Sequence, residues 1–232
     1  MSRIVAVSDL MESSGVKFGT SGARGLVSAM TSEVCYAYTL AFLQHLEECG
    51  DIRGKGRVAV AIDRRPSSPA IANAVLRAIA DRGYLPCYCG EIPSPAVALY
   101  GLVEKIPAIM VTGSHIPDDR NGIKFNKVSG EILKEDELGI RRQSVILPNI
   151  FGKSGAFLDS GSSNWEVQSA AAHLYVNRYL TAFDESLLKG KRIGLYGHSA
   201  VGRDLLFEIL TGLGADVDRL AYSDRFIPVD TE

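Results

Sequence analysis

The chain has 232 residues, 46% hydrophobic and 22% charged, with a formal net charge of −2. That length is ample for a buried core, and the charge balance argues against the concentrated basic face of a nucleic-acid binder. No apolar run approaches the roughly 18 residues that a membrane-spanning helix requires, and Met1–Asp9 turns polar too soon for a secretory signal. Four cysteines, Cys35, Cys49, Cys87 and Cys89, are scattered without a metal-ligand framework and suit a reducing cytoplasm.

Taken in order, the first unusual stretch is Phe18-Gly19-Thr20-Ser21-Gly22-Ala23-Arg24-Gly25. Its glycines permit tight turns and close approach of backbone N–H groups to an anion, although a plain connector has the same spacing. Arg24 adds a guanidinium suited to a phosphate or carboxylate. Helical spacing of Val34, Tyr38, Ala41 and Leu43 predicts a helix over about Thr31–Cys49. Arg57–Ile62 reads as a strand, followed by a helix with Ser68 as N-cap, Pro69 in its first turn and Gly83 past its end. A strand over Tyr84–Cys89, a helix from Ser94-Pro95 to about Lys105 and a buried strand over Pro107–Val111 come next.

That last strand runs into Thr112-Gly113-Ser114-His115-Ile116-Pro117-Asp118-Asp119-Arg120-Asn121-Gly122-Ile123-Lys124-Phe125. A hydroxyl, an imidazole, an amide and an amine are thus crowded beyond a strand, where open α/β folds place their ligands. Lys124 is either a surface lysine or one that returns to the same pocket. A hairpin over Gly122–Leu133 and a helix over about Lys134–Ser144 follow. Residues 151–164 are Gly- and Ser-rich over most of their length and are expected to form a linker or loop between a first domain, 1–150, and a partial second, 165–232. The second contains a helix over about Trp165–Phe183, a strand over Arg192–Tyr196, a helix over Arg203–Leu213 and a strand over Val217–Tyr222. Strands alternating with helices predict an α/β fold, a mostly parallel sheet flanked by helices.

Two alternative chemistries are weaker on spacing. Gly197–Gly202 has the glycine frame of a P-loop, but Arg203 and Asp204 stand where Lys and Ser/Thr are needed. Ser114 beside His115 lacks the flanking glycines of a nucleophile elbow, and sequence neighbours diverge in direction without a special turn.

The segments Gly19–Gly25, Asp63-x-Arg65 with Ser67-Ser68-Pro69, Pro93-Ser94-Pro95 and Thr112–Lys124, in that order, resemble the α-D-phosphohexomutases, the phosphoglucomutase/phosphomannomutase family. The resemblance implies that Ser114 carries a phosphoryl group exchanged with a hexose phosphate through a hexose 1,6-bisphosphate. It implies Lys124 as general acid/base, His115 as the histidine beside the serine and Arg24 as an active-site arginine. Thr20, Ser21 and Asn121 fall in its phosphate and substrate loops. It further implies magnesium bound through the phosphate on Ser114. Two departures stand out: Ile116 replaces a common Asn, and the family's Asp-x-Asp-x-Asp-Arg metal loop has no counterpart here. The expectation is therefore the N-terminal half of a mannose- or glucose-phosphate mutase, inactive alone because one serine oxygen cannot satisfy a magnesium ion that takes about six ligands. A non-catalytic phosphosugar-binding module, self-associating through the incomplete second domain, is the alternative.

Overall fold

The computed structural model describes residues 2–19, 22–159 and 164–228. The chain opens with β1 (Arg3–Ala6), α1 (Val7–Ser14), β2 (Lys17–Phe18) and β3 (Gly22–Leu26). Then come α2 (Ser32–Cys49), β4 (Arg57–Ile62), α3 (Ser68–Asp81), β5 (Leu85–Glu91), α4 (Ser94–Glu104) and β6 (Ala108–Val111). Next come β7 (Arg120–Lys127), β8 (Gly130–Glu131), α5 (Lys134–Arg141) and β9 (Ser144–Leu147). Beyond β9 lie α6 (Ala170–Ala182), β10 (Arg192–His198), α7 (Arg203–Gly212) and β11 (Asp216–Tyr222).

The main sheet runs β2-β3-β7-β6-β4-β5, with β8 paired to β7. It is α/β but mixed rather than mostly parallel: β5, β4 and β6 are parallel, while β7, β3, β2 and β8 join antiparallel. The cause is the connection after β6. A parallel neighbour needs a crossover of a dozen or more residues, and the Ser114 loop is too short to be one, so the chain must return antiparallel.

Strand alternation divides the core. Val58, Val60 and Ile62 of β4 face the helices α2 and α3, whereas Ala59 and Ala61 face α4, beside Cys87, Met110 and Val97. Phe42 of α2 stacks on Phe125 of β7 at 4.6 Å between ring centroids. Thr31 caps α2 by accepting the Val34 N–H at 3.3 Å, and Gly50 ends it at φ 76°.

Three local expectations change. Ser68 is not the N-cap of α3 but its first residue; its hydroxyl donates to Asp63 Oδ1 at 2.5 Å. The helix expected to reach Ser144 ends at Arg141, because Val145 and Leu147 alternate inward and pair, as β9, antiparallel with β1. The helix expected from Trp165 starts at Ala170, since the preceding segment lies against β5: Gln168 N donates to Tyr88 O at 2.7 Å. Residues 151–159 form a packed turn, with Phe151 stacked on Phe157 at 5.2 Å and edge-on to Tyr36 of α2.

Asp136 at the start of α5 ties this helix to α2 and β7. Its carboxylate accepts the Leu133 N–H at 2.8 Å and sits 3.1 Å from His45 Nε2 and 2.9 Å from Lys127 Nζ. Burial pushes the carboxyl up, but the Leu133 N–H, Lys127 and His45 outweigh it and hold the group below the usual carboxylate range. A depressed folded value stabilises above the unfolded pKa of about 3.9, and that contribution is lost as pH falls through the folded value. Asp136→Asn is therefore expected to cost about 1–3 kcal/mol at pH 7 and to flatten the acid limb of the stability curve. Urea unfolding at pH 7 and at pH 3 checks this; an unchanged acid limb would refute it.

Candidate active site

Because β4 and β6 are parallel, Asp63-Arg64-Arg65 and Thr112-Gly113-Ser114 leave the sheet at the same edge. Asp63 organises the two segments. Its Oδ2 accepts from Thr112 Oγ1 at 2.7 Å and from Gly113 N at 3.2 Å, while Oδ1 accepts from Arg65 N at 3.0 Å. Ser114 N in turn donates to Thr112 Oγ1 at 2.9 Å.

Arg65, only 2% exposed, closes the loop from below. Its Nη1 donates to Pro117 O at 2.8 Å and Arg120 O at 3.0 Å; its Nη2 donates to Ile116 O at 2.6 Å and Ser114 O at 3.3 Å. The planar guanidinium thereby satisfies carbonyls that a tight loop cannot pair by itself. Gly113 makes room, since a Cβ there would lie 2.4 Å from Arg65 Cζ. Ser114 is left at φ 57°, a strained conformation for a residue with a side chain.

That turn decides the relation of Ser114 to His115. The two neighbours come together, with Ser114 Oγ 3.3 Å from His115 Nδ1. Among the described residues no carboxylate bonds to His115, so the orienting third member of a hydrolase triad is missing. Arg24 and Lys124 reach the same side of the sheet: Arg24 pairs with Gly122, and Lys124 with both Gly22 and Met110. Gly122 lets the Arg24 stem cross, as a Cβ there would lie 3.0 Å from Arg24 Cγ. Arg24 Nε is buried and has no hydrogen-bond partner among the described residues.

Ser114 lines a cavity of about 430 Å³ and Lys124 an adjoining one of about 270 Å³; Ser94, Pro95 and Met110 border both. Asn121 departs from its expected place in the substrate loop. It is fully buried, donating to Ser67 Oγ at 2.8 Å and Ser68 Oγ at 3.0 Å and accepting from Gly122 N at 2.8 Å. With its amide satisfied internally, it braces the start of α3 against β7. Thr20 and Ser21 lie outside the described residues.

The expected magnesium site does not fit the side chains present. Asp63 is fully engaged by its hydrogen bonds, and the described residues contain no cluster of three or more His, Cys, Asp or Glu able to hold a metal. Sequence reasoning also passed over Arg65 as a site residue; its signal was the Asp63-x-Arg65 spacing. The Gly197–Gly202 frame is a strand-to-helix turn, with Arg203 folded back so that Nη1 donates to His198 O at 2.7 Å.

The α/β/α arrangement brings a hydroxyl, an imidazole and two cationic side chains toward one end of the sheet, where open α/β folds place ligands. The chain belongs to the phosphoglucomutase/phosphomannomutase family of mutases: residues 15–144 match the family's alpha/beta/alpha domain I. It is 44% identical over 232 residues to a phosphomannomutase of Salmonella muenchen, covering 100% of this chain and 46% of that protein. A phosphomannomutase of Sinorhizobium fredii is 43% identical over 218 residues, covering 94% and 45%. A phosphoglucosamine mutase of Thermotoga maritima is 26% identical over 206 residues, covering 87% and 44%. The chain thus spans about half the length of the curated relatives it matches. The fold matches a phosphoglucomutase/phosphomannomutase family protein of Burkholderia thailandensis with a TM-score of 0.67 at 20% identity, over 93% of this chain and 44% of that one. No helix among the described residues is long and apolar enough to cross a membrane.

Proposed function

We propose that this chain is the phosphate-carrying part of a cytoplasmic phosphomannomutase-type enzyme, with mannose phosphate as partner and neither nucleic acid nor membrane. Ser114 Oγ bonds to phosphorus as the bond from phosphorus to one oxygen of a hexose 1,6-bisphosphate breaks. The hydroxyl proton leaves through Lys124 and the freed sugar oxygen is protonated. In the reverse direction the phosphoryl group returns to the other sugar oxygen, which interconverts the 1- and 6-phosphates. Arg24 holds the non-transferring phosphate, and His115 orients the serine. The observation that carries this reading is Ser114 itself, held at φ 57° by Asp63 and Arg65 at the mouth of a cavity. Mannose is preferred to glucosamine because the relatives named phosphomannomutase are 43–44% identical and the glucosamine relative 26%.

Alone, the chain is expected to bind mannose 1-phosphate without turning it over, since Ser114 brings one oxygen to a magnesium ion that takes about six. The test is a fusion of residues 1–232 with the C-terminal remainder of the Salmonella relative. After incubation with magnesium and hexose 1,6-bisphosphate, peptide mass spectrometry should find phosphate on Ser114. Ser114→Ala should lose that phosphate and lower turnover by at least about a thousandfold, a nucleophile's share of catalysis. An active fusion with unmodified Ser114 would overturn the proposal, and robust turnover by the chain alone would overturn its inactivity. A second reading, a non-catalytic module that self-associates, draws on the exposed apolar side chains of the second domain, Tyr196 at 68% and Leu220 at 48%. Sedimentation of the free chain as a dimer, without phosphate on Ser114 in the fusion, would favour it.

A further inference from the structure

The cavity in front of Ser114 has a second wall that the serine chemistry leaves unexplained. It is made by the turn after β10, His198 and Ser199 above all, and by Phe226 and Ile227 after β11. His198 sits at φ 49°, the left-handed region that costs a residue with a side chain on the order of 1–3 kcal/mol. The strain is imposed by a built support. Buried Arg203 donates through Nη1 to His198 O at 2.7 Å and Ser223 O at 2.5 Å, and Ser223 N donates to His198 O at 3.0 Å.

The ring is oriented as carefully as the backbone. Ser199 Oγ accepts the Ile227 N–H at 3.0 Å and donates its single proton to Ile227 O at 3.3 Å. Its remaining contact is 3.3 Å to His198 Nδ1; with the hydroxyl proton on Ile227 O, Oγ accepts there. In that arrangement His198 carries Nδ1–H, and its Nε2 is an acceptor with no protein partner among the described residues. The other charged groups on this cavity are engaged: Asp63 by its hydrogen bonds, Arg64 by Glu91 at 3.0 Å and Asp204 at 3.8 Å.

Resting on the mutase reading, we propose that His198 is a sugar-reading residue: its Nε2 accepts a hydrogen bond from a ring hydroxyl of the hexose phosphate whose phosphorus faces Ser114. Phe226 and Ile227 offer the apolar surface on which the sugar's C–H face rests. His198 contributes to orientation and specificity, whereas the phosphate is held from the first-domain side.

The variant that isolates this role is His198→Asn. Asparagine tolerates the left-handed backbone and keeps an amide near the Nδ1 position for Ser199, but has nothing at Nε2. Calorimetry on the full 232-residue chain should show mannose 1-phosphate binding weakened about tenfold, the usual worth of one hydrogen bond, with inorganic phosphate binding unchanged. His198→Gln, whose amide extends toward the Nε2 position, should recover part of the loss. Long-range proton–nitrogen spectra of the unaltered chain supply a readout that needs no variant. They should show His198 protonated on Nδ1, with its Nε2 resonance moved by mannose 1-phosphate and not by inorganic phosphate. Equal losses for both ligands, unchanged binding in His198→Asn, or an Nε2–H tautomer would each overturn the proposal while phosphate on Ser114 in the fusion leaves the mutase reading intact. If the unaltered chain binds no mannose 1-phosphate the proposal also fails, and the serine phosphate separately decides the mutase reading.

Discussion

Replacing Arg65 with alanine is expected to destabilise the chain by about 3–5 kcal/mol, the cost of breaking a buried, hydrogen-bonded charge. For a chain of this length that lowers the melting temperature by about 6–20 °C. The size follows from what one guanidinium holds. Carbonyls of Ser114, Ile116, Pro117 and Arg120 lose their donor together, and Asp63, 3.4 Å from Arg65 Nε, is left with less compensation for its charge. Arg65→Lys should recover little, because a single ammonium on a flexible stem cannot match the planar fork. Phe226 lies 4.9 Å from the guanidinium carbon, so the loop after β11 loosens with it.

Gly113→Ala provides an internal check on this account. Its added methyl would press on Arg65 Cζ, so it should act in the same direction as Arg65→Ala but less strongly. The double variant should then cost less than the two single costs combined, since both act through one guanidinium. Thermal and urea unfolding read all three values. Additive costs would mean that Arg65 and Gly113 stabilise separate features, and the clamp would have to be abandoned.

Lys124→Met, in the fusion with the remainder of the Salmonella relative, is expected to slow phosphoryl transfer through Ser114 by about 10²–10⁴-fold, the range of a positioned acid/base group. The unfolding midpoint should hardly move, because Lys124 is half-buried and its backbone pairing with Gly22 and Met110 is independent of its amine. Lys127, on the opposite face of β7, supplies the contrast. It pairs with Asp136, so Lys127→Met should lower stability and leave the transfer rate unchanged. Rapid-quench measurement of phosphoserine formation, beside a melting curve for each variant, distinguishes them. Equal rate losses at both positions would remove Lys124 from the proton path.

These expectations differ in how far the sequence alone supports them. Arg57–Ile62 is a strand and Ser94–Glu104 a helix by alternation, branched residues and a Ser-Pro start, all properties of neighbouring residues. The loop around Ser114 was likewise legible, because a strand that ends in Gly, Ser and His declares its position at a sheet edge. Asn121 and Arg65 were not legible in this way. Each has the same polar character as a ligand-binding residue, and only the packing of α3, β6 and β7 shows that their donors point at protein atoms. The direction of β7 and the pairing of β9 with β1 are likewise decisions between distant segments, invisible to any local period. His198 is the clearest case: its turn reads as a plain strand-to-helix connector until β10 and β11 bring it across the cavity from Ser114. Residue type and spacing determined which elements form and where the Ser114 loop lies. The tertiary structure alone decided which polar groups remain free, because that depends on which partners, far away in sequence, have already satisfied the rest.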